Sequence, residues 1–366
     1  MTVRLAIVCS WLNQYGGAER VLEVLHGLFP DAPFYTSIYR PERLPAHFRQ
    51  WDIRVSPLDR VPLARQHPGL FLGSFPQAFE SMDLRGFDVI LSVTSAFAHG
   101  VITSARARHV CYCLTPTRFL WDYHGYVERE RLGKVARTLL APRLVRLRQW
   151  DQLAAGRVDR FVAISRTVQE RIAKYYRRDS DIIYPPVAVD ADVQPAEPAD
   201  YYLVVSRLVP YKRIDLAVRA FTELGKPLVV VGDGRDRRAL EQVAGSSVTF
   251  RGYVDEATKR DLMRHCRALV FPGEEDFGLT PVEAMALGRP VIAYGRGGSR
   301  DTLVDGATGV FFDEPTIESL KKAVQRFEGM SFDGRRLIEH AQRFDQAVFG
   351  ERIAAVLEKA AGETRE

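Results

Sequence analysis

Short apolar runs alternate with amphipathic segments along most of the chain. In the first half this pattern predicts strands at residues 4–9, 88–93, 109–113 and 160–164, and helices at residues 18–28 and 167–175. Strands that alternate with helices form parallel sheets covered by helices. A proline-rich stretch, residues 41–76, shows no clear period and is left unassigned. The predicted fold class of the first half is therefore α/β.

A second alternation follows a proline-dense segment, residues 184–198, which has the composition of a linker. It predicts strands at residues 201–206, 227–231, 248–251, 268–271, 290–294 and 310–312, and a last helix at residues 346–361. We therefore expect an N-terminal domain over residues 1–186 and a second domain over residues 187–345. Residues 346–366 are expected to return to the first domain.

Two glutamates, Glu275 and Glu283, flank the start of a helix that follows the apolar run 268–271. Pro281 suits the first turn of that helix. Glu275 is thus predicted in a loop at the carboxyl end of a strand, where ligands bind in open α/β sheets. One carboxylate can hold one end of a polyhydroxylated ligand while the other holds its far end.

The surroundings of these glutamates make the pattern specific. Near the glutamates the chain has Phe277-Gly278-Leu279, Gly288-Arg289-Pro290 and Gly297-Gly298. The first loop of the first predicted domain has Gly16-Gly17-Ala18-Glu19-Arg20, and the first loop of the second has Arg207 and Lys212. Together they resemble glycosyltransferase family four, the retaining transferases that use sugar nucleotides. The resemblance implies the GT-B fold, in which two Rossmann-like domains with parallel sheets face each other across a cleft.

The resemblance also implies roles for single residues. The position of Glu283 binds the ribose hydroxyls in the family, and the position of Glu275 contacts the transferred sugar. The nucleotide-sugar donor would further be bound by Gly232, Tyr253, Val254, Phe277, Gly278 and Leu279. The family retains anomeric configuration by front-face attack, so Glu275 is expected to orient the sugar. A carboxylate nucleophile is the competing mechanism.

A sugar nucleotide carries a diphosphate, which needs positive partners. Gly16 and Gly17 precede a helix whose N-terminal N–H groups attract anions. Arg207 and Lys212 follow the first strand of the second domain, and both side chains can bind phosphate. With Glu275 they are the predicted catalytic residues, because fixed cations stabilise the charge on the departing diphosphate. For Gly16 and Gly17 the alternative is an ordinary strand-to-helix turn, and for Arg207 and Lys212 it is a pair of solvated surface cations.

The cations make a metal unnecessary in this scheme. The two Asp-x-Asp matches, which begin at Asp179 and Asp190, are no more frequent than chance and are assigned no metal. No cofactor is therefore expected beside the sugar-nucleotide co-substrate.

One position departs from the family pattern. Similar proteins have a histidine where this chain has Leu114, and that histidine lies beside the sugar's C6 hydroxyl. Leucine cannot hydrogen-bond a hydroxyl but packs against a methyl group, so a 6-deoxyhexose donor is a hypothesis. His99 follows another strand and could approach the ligand, or be structural. Arg118, Trp121 and Asp122 suit a sugar or acceptor, and a packed aromatic is the alternative.

Charge and composition add a question about membranes. The net charge is +5, and nine Lys or Arg stand against three acids between Arg129 and Arg160. A solvated helical face is one interpretation, and a surface that contacts anionic lipid is the other. No recognition motif accompanies the charge, so nucleic-acid binding is not expected.

The remaining features indicate a cytoplasmic protein, and peripheral contact at the inner face of the cell membrane is a further hypothesis. Four cysteines lack paired spacing and are expected to be reduced. The amino terminus lacks the apolar core of a signal peptide, and no run is long enough to span a bilayer.

The leading hypothesis is a retaining glycosyltransferase acting in surface polysaccharide synthesis. It would move a hexosyl or 6-deoxyhexosyl group from GDP-mannose, a rhamnose donor or another sugar nucleotide to a glycan or lipid-linked acceptor. The alternatives are another GT-B enzyme with a soluble acceptor, or a catalytically silent sugar-nucleotide-binding subunit.

Overall fold

A computed structural model describes residues 3–122 and 134–363, without the side chains of residues 134–140. The chain divides into two compact units. Unit 1 comprises Met1–Pro185 together with Phe349–Glu366, and unit 2 comprises Pro186–Val348.

Unit 1 is built on a seven-stranded sheet in which every neighbouring pair is parallel. Its strands are β1 Leu5–Cys9, β2 Phe34–Thr36, β3 Ile53–Val55, β4 Val89–Thr94, β5 Arg108–Cys113, β6 Arg160–Ala163 and β7 Ser180–Ile182. They lie in the order β3-β2-β1-β4-β5-β6-β7. The order reverses direction at β1, which is the arrangement of a Rossmann-like sheet.

The α-helices of unit 1 are α1 Gly17–Leu28, α2 Pro62–Gln66, α3 Phe75–Glu80, α4 Arg118–Trp121, α5 Lys134–Ala155, α6 Arg166–Tyr176 and α14 Gln346–Glu363. Helix α1 shows how such helices form, because its apolar positions fall on one face. Val21, Leu22 and Leu25 are buried there, while Leu28 at the end is exposed. Burial of this apolar stripe against the sheet stabilises the unit.

Unit 2 repeats the design with six parallel strands. They are β8 Tyr202–Val205, β9 Leu228–Val231, β10 Val248–Gly252, β11 Leu269–Phe271, β12 Val291–Tyr294 and β13 Gly309–Phe312, in the order β10-β9-β8-β11-β12-β13. The α-helices are α7 Ile214–Leu224, α8 Arg237–Val243, α9 Glu256–His265, α10 Leu279–Ala286, α11 Ser299–Thr302, α12 Ile317–Glu328 and α13 Gly334–Gln342.

Two parallel Rossmann-like sheets confirm the predicted α/β class. All six strands predicted for the second half are present, as are the four predicted for the first. In unit 2, β8 and β11 are neighbours, so the loops that follow them begin at the same edge of the sheet. None of the helices within residues 3–122 and 134–363 combines the length and apolar character needed to cross a lipid bilayer.

Candidate active site

The candidate site of unit 2 is centred on an ion pair between two loops. Lys212 ends the short 3-10 turn Pro210–Lys212 after β8, and Glu275 lies in the loop after β11. The Lys212 ammonium contacts Oε1 of Glu275, and the two side chains are only 19% and 17% exposed. Gly273 allows this approach, because a Cβ there would come within 2.9 Å of the Lys212 carbonyl oxygen. The predicted sugar-binding and phosphate-binding residues are therefore direct neighbours.

The loop that carries Glu275 is fixed by backbone contacts to a glycine pair. The Gly298 amide donates a 2.8 Å hydrogen bond to the Glu275 carbonyl. A Cβ on Gly297 would lie 2.3 Å from that carbonyl oxygen, and one on Gly298 would lie 2.2 Å from the Phe277 Cα. Only glycine fits at this distance, since real Cβ atoms do not approach backbone so closely. The Gly297-Gly298 pair of the sequence motif thus serves the position of Glu275.

The residues after Glu275 lead into helix α10. Phe277 is buried, with its ring 5.6 Å from that of Phe344. Gly278 has a φ of +86° and precedes Leu279, the first residue of the helix. Glu283 follows within α10, so both glutamates are carried by one short segment whose ends are anchored by burial and by backbone geometry.

Glu283 has a cationic neighbour that the sequence did not indicate. Lys259 of α9 places its Nζ 3.3 Å from Oε2 of Glu283 and 2.6 Å from Oε1 of Glu256. The Lys259 side chain is 12% exposed and that of Glu283 is 17% exposed. Lys259 lies in an ordinary charged helical stretch, so no sequence signal distinguished it from a solvated lysine.

Arg207 and Lys212 both contact the side chain of Tyr211. An Nη2 hydrogen of Arg207 is donated to the Tyr211 hydroxyl at 2.8 Å. The Lys212 ammonium lies 5.4 Å from the centre of the same ring, within cation–π range. Arg207 is exposed whereas Lys212 is mostly shielded. The two predicted phosphate-binding cations are therefore linked through one aromatic side chain.

The glycine predicted at the nucleotide pocket packs against the loop of Arg207. Gly232 has a φ of +121°, and a Cβ there would lie 1.9 Å from the Ser206 carbonyl oxygen. Its amide donates to the Gly252 carbonyl at 2.7 Å. Tyr253 follows with 87% of its surface exposed, and Val254 is half-buried. The loops after β8, β9 and β10 thus meet at one edge of the sheet.

In unit 1, Gly16 is the N-cap of α1 and Gly17 its first residue. The first turn also contains Glu19, which is 3% exposed, and a Cβ on Gly16 would lie 3.5 Å from Oε2 of Glu19. A carboxylate near a helix N-terminus is stabilised by the helix dipole. This end of α1 therefore has a buried carboxylate of its own, and anion binding at Gly16-Gly17 stays a prediction.

Leu114 comes directly after β5 and is half-buried, and its amide donates to the Thr94 carbonyl at 2.8 Å. Arg118 opens α4 half-buried, and Asp122 follows α4 exposed. Trp121 donates its indole N–H to Oδ2 of Asp151 at 2.7 Å and stacks on Tyr175. The indole N–H is thus engaged in an intramolecular contact.

His99 differs from the other candidate sugar contacts. It is fully buried, and its Nε2 lies 3.5 Å from Oδ1 of Asp151 and 3.2 Å from the Asp151 backbone oxygen. We therefore withdraw His99 as a sugar contact, since a ligand cannot touch a side chain without solvent access. His109 is also buried, with Nε2 2.8 Å from the Ser92 hydroxyl. Burial lowers the pKa of His109 to about 3.

The basic segment is described only in part. Residues 123–133, among them Arg129 and Arg131, lie outside the described residues. Farther along α5, Leu144 and Leu147 are buried while Arg143 and Arg146 are exposed. This alternation is that of an amphipathic helix with a charged outer face.

The cysteines and the acidic residues show no further chemistry in the described part of the chain. All four cysteines are buried and none forms a disulfide within the described residues, and burial raises the pKa of Cys9 and Cys266 to about 12. No group of three or more His, Cys, Asp or Glu within the described residues is arranged to hold a metal ion.

Comparison with curated proteins finds mannosyltransferases. The chain is 32% identical over 251 residues to a GDP-mannose-dependent alpha-mannosyltransferase of Mycolicibacterium smegmatis, with 64% of each protein covered. It is 29% identical over 196 residues to the O-antigen chain mannosyltransferase RfbU of Salmonella typhimurium, with 48% of this chain and 56% of RfbU covered. The matches thus span about half to two-thirds of the relatives' length.

Solved structures share the fold over nearly the whole chain. A sucrose-phosphate synthase from Thermosynechococcus elongatus has a TM-score of 0.71 at 17% identity, covering 98% of this chain and 99% of that one. HepE of Anabaena in complex with UDP has a TM-score of 0.70 at 18% identity, covering 97% and 100%. These likenesses show the fold, which is GT-B.

Two family models divide the sequence between them. The model described as Glycosyltransferase Family 4 matches residues 15–191, and the model described as Glycosyl transferases group 1 matches residues 189–346. Because they meet at the start of unit 2 and leave only the ends of the chain unmatched, the chain belongs to glycosyltransferase family 4.

Proposed function

We propose that this protein is a retaining glycosyltransferase that uses a nucleotide-diphosphate sugar. The observation that carries the proposal is the contact between Lys212 and Glu275, two mostly shielded opposite charges on neighbouring strand-end loops. With Arg207 beside Lys212 and Glu283 beyond Glu275, unit 2 offers cations and hydroxyl-binding carboxylates at one edge. A sugar nucleotide requires both kinds of partner.

The cations act on the diphosphate. Cleavage of the bond to the anomeric carbon leaves negative charge on the departing oxygen. Lys212 supplies a point charge and Arg207 a planar set of donors. Groups already in place before the reaction can lower the barrier by about 3 kcal/mol each. Transfer would then proceed without a metal ion.

Glu275 orients the transferred sugar. Its carboxylate is paired with Lys212, and an ion-paired carboxylate is a weaker nucleophile than a free one. The pairing therefore supports a positioning role for Glu275. The acceptor would attack the sugar from the same face from which the diphosphate leaves. Glu283 binds the ribose hydroxyls, with Lys259 holding one of its oxygens.

The donor is a hexose or a 6-deoxyhexose nucleotide. The names of the mannosyltransferase relatives support GDP-mannose. Leu114 supports a sugar with a methyl group at C6, because a leucine side chain offers no hydrogen bond to a hydroxyl. The two donors are distinguished by comparing turnover of GDP-mannose with turnover of GDP-rhamnose.

The acceptor is a glycan or a lipid-linked glycan of a surface polysaccharide. The O-antigen relative RfbU supports this class. The exposed Arg143 and Arg146 on α5, with the half-exposed Val145 between them, would suit peripheral contact with anionic lipid at the inner face of the cell membrane. The first alternative is a glycosyltransferase with a soluble acceptor. The second alternative is a catalytically silent subunit that binds a sugar nucleotide.

The test is release of nucleotide from GDP-mannose, GDP-rhamnose, UDP-glucose and dTDP-rhamnose. We expect the wild-type protein to release nucleotide from one of them slowly in water. Lys212→Met should lose most of that activity. Lys226→Met is the matched control, because it removes a lysine whose Nζ is 2.7 Å from Glu328 in the same unit, away from the strand-end loops. A wild type that is heat-stabilised by a donor yet releases nothing would establish the silent subunit instead.

A further inference from the structure

A buried carboxylate in unit 1 accepts hydrogen bonds from three side chains on two different helices. Asp151 of α5 is fully buried. Its Oδ1 accepts from the Thr117 hydroxyl at 2.8 Å, and its Oδ2 accepts from the Trp121 indole at 2.7 Å and the Tyr176 hydroxyl at 2.9 Å. Buried charges are costly unless they are hydrogen-bonded on all sides, so this cluster is a specific arrangement rather than chance packing.

Two of these three donors belong to one short element. Thr117 is the N-cap of α4, and Trp121 is its last residue. The Thr117 hydroxyl makes no cap bond to its own helix, because it is turned to Asp151. One carboxylate therefore holds both ends of a single helical turn.

A second residue of α5 completes the attachment. The Nε hydrogen of Arg148 is donated to the Leu120 carbonyl at 2.9 Å, and its guanidinium carbon lies 6.0 Å from the Trp121 ring. An isolated turn of four residues has almost no stability of its own. The conformation of α4 thus depends on these contacts with α5.

The turn that is held in this way carries Arg118, and Leu114 lies just before it. We propose that Asp151 is a positioning residue that fixes segment 114–122 for contact with the transferred sugar or the acceptor. This inference rests on the proposed function, in which Leu114 contacts the sugar, and on the prediction from the sequence that Arg118 contacts the sugar or the acceptor. Asp151 itself, being sealed from solvent, touches neither substrate.

The cluster contains its own matched control. Thr117 and Tyr176 are both buried and both donate a hydroxyl to the same carboxylate, but only Thr117 belongs to the segment. Thr117→Val and Tyr176→Phe each delete one such hydrogen bond and little else. A role limited to stability would make the two variants equivalent, whereas a positioning role would not.

The primary experiment is amide hydrogen exchange on the full chain. The amides of Leu120, Trp121 and Asp122 donate within α4 and are the reporters. Thr117→Val should speed their exchange by about tenfold, the effect of one lost hydrogen bond, while Tyr176→Phe should leave them near wild type. Equal rates in the two variants would overturn the proposal.

Variants of Asp151 provide a rescue test. In Asp151→Asn the amide oxygen still accepts from Trp121, and the amide nitrogen donates to the Thr117 oxygen. Exchange in α4 should therefore stay close to wild type in Asp151→Asn and rise in Asp151→Ala. Fast exchange in both, or in neither, would contradict the tether.

The functional readout uses GDP-mannose as the probe. We expect Thr117→Val to lower the rate of GDP release by about tenfold with an unchanged KM, and Tyr176→Phe to retain it. A retained rate in Thr117→Val would refute the positioning role even if exchange rises. If wild type releases no nucleotide from any sugar nucleotide, the proposed function fails, and the exchange comparison still decides whether Asp151 fixes the segment.

Discussion

Replacing Glu275 by glutamine should separate binding of the diphosphate from transfer of the sugar. In the structure the Lys212 ammonium is in contact with the Glu275 carboxylate. A bound diphosphate would have to share that ammonium and tolerate the carboxylate. Glu275→Gln removes the competing charge at nearly constant volume, so UDP or GDP alone should bind more tightly. Transfer should nevertheless be lost, because the group that orients the sugar is gone.

The magnitude follows from the geometry. Two unit charges about 4 Å apart interact by about 4 kcal/mol at an effective dielectric constant of about 20. The Lys212 and Glu275 side chains are 19% and 17% exposed, so solvent and side-chain entropy reduce this figure. We expect a net gain of about 1 kcal/mol, at the upper end of measured exposed pairs, which is about fivefold in Kd.

The assay is calorimetric titration with UDP and with GDP. Whichever of UDP and GDP binds, Lys212→Met should raise its Kd by at least about tenfold, as expected for a lost charge-assisted hydrogen bond. Glu328→Gln is the matched control, since it breaks the Lys226–Glu328 pair of the same unit and should leave Kd unchanged. If Glu275→Gln weakens binding as Lys212→Met does, the two residues do not compete for one ligand and the reasoning is refuted.

Three further outcomes are expected. Gly298→Ala would place a Cβ 2.2 Å from the Phe277 Cα, so thermal melts should show a free energy of unfolding lower by about 1–3 kcal/mol and weaker donor binding. In Gly329→Ala the atom nearest to the new Cβ lies at 3.6 Å, so the same melts should show neither effect. Leu114→His should raise turnover of GDP-mannose relative to GDP-rhamnose, and a wild type that already prefers GDP-mannose would end the 6-deoxyhexose hypothesis. Burial lowers the pKa of His109 to about 3, below its unfolded value of 6.5, so its contribution to stability is present above pH 6.5 and is lost as the pH falls. Between pH 6.5 and pH 5 the loss should be about 2 kcal/mol, and His109→Gln should flatten that part of the urea-denaturation profile; an unchanged profile would show that His109 is not the group responsible.

The sheets were predictable because their central strands are continuous apolar runs buried on both faces. Strand β4, Val89–Thr94, is buried at every position and was evident from sequence. Strands β2, β3 and β7 were missed, since each has only three residues and none is wholly apolar, as the equally short β11 is. For β3 the proline-rich surroundings and the exposure of Arg54 and Val55 removed any hydrophobic period. Short edge strands are specified by their neighbours more than by their own sequence.

The site was predictable where a motif and a strand end coincide. Sequence placed Glu275 and Lys212 at strand ends, and adjacency of β8 and β11 brings them into contact. The partners Lys259 and Asp151 were not predicted, because each acts through a contact between elements that are distant in sequence. Tyr211 was also missed, although it contacts Arg207 only four residues away, because no motif marks it. The placement of His99 failed for the same reason. The sequence shows that a strand precedes it, but not that α5 seals it from solvent.

The most direct test of the account is a thermal-shift screen of the wild-type protein with UDP-, GDP-, ADP- and dTDP-sugars. A ligand that binds only the folded state raises the melting temperature by mass action. We expect one nucleotide class to stabilise the wild type, and Glu283→Ala and Lys212→Ala each to abolish the shift. If both variants are stabilised as much as the wild type, the donor is not bound where Lys212 and the two glutamates lie.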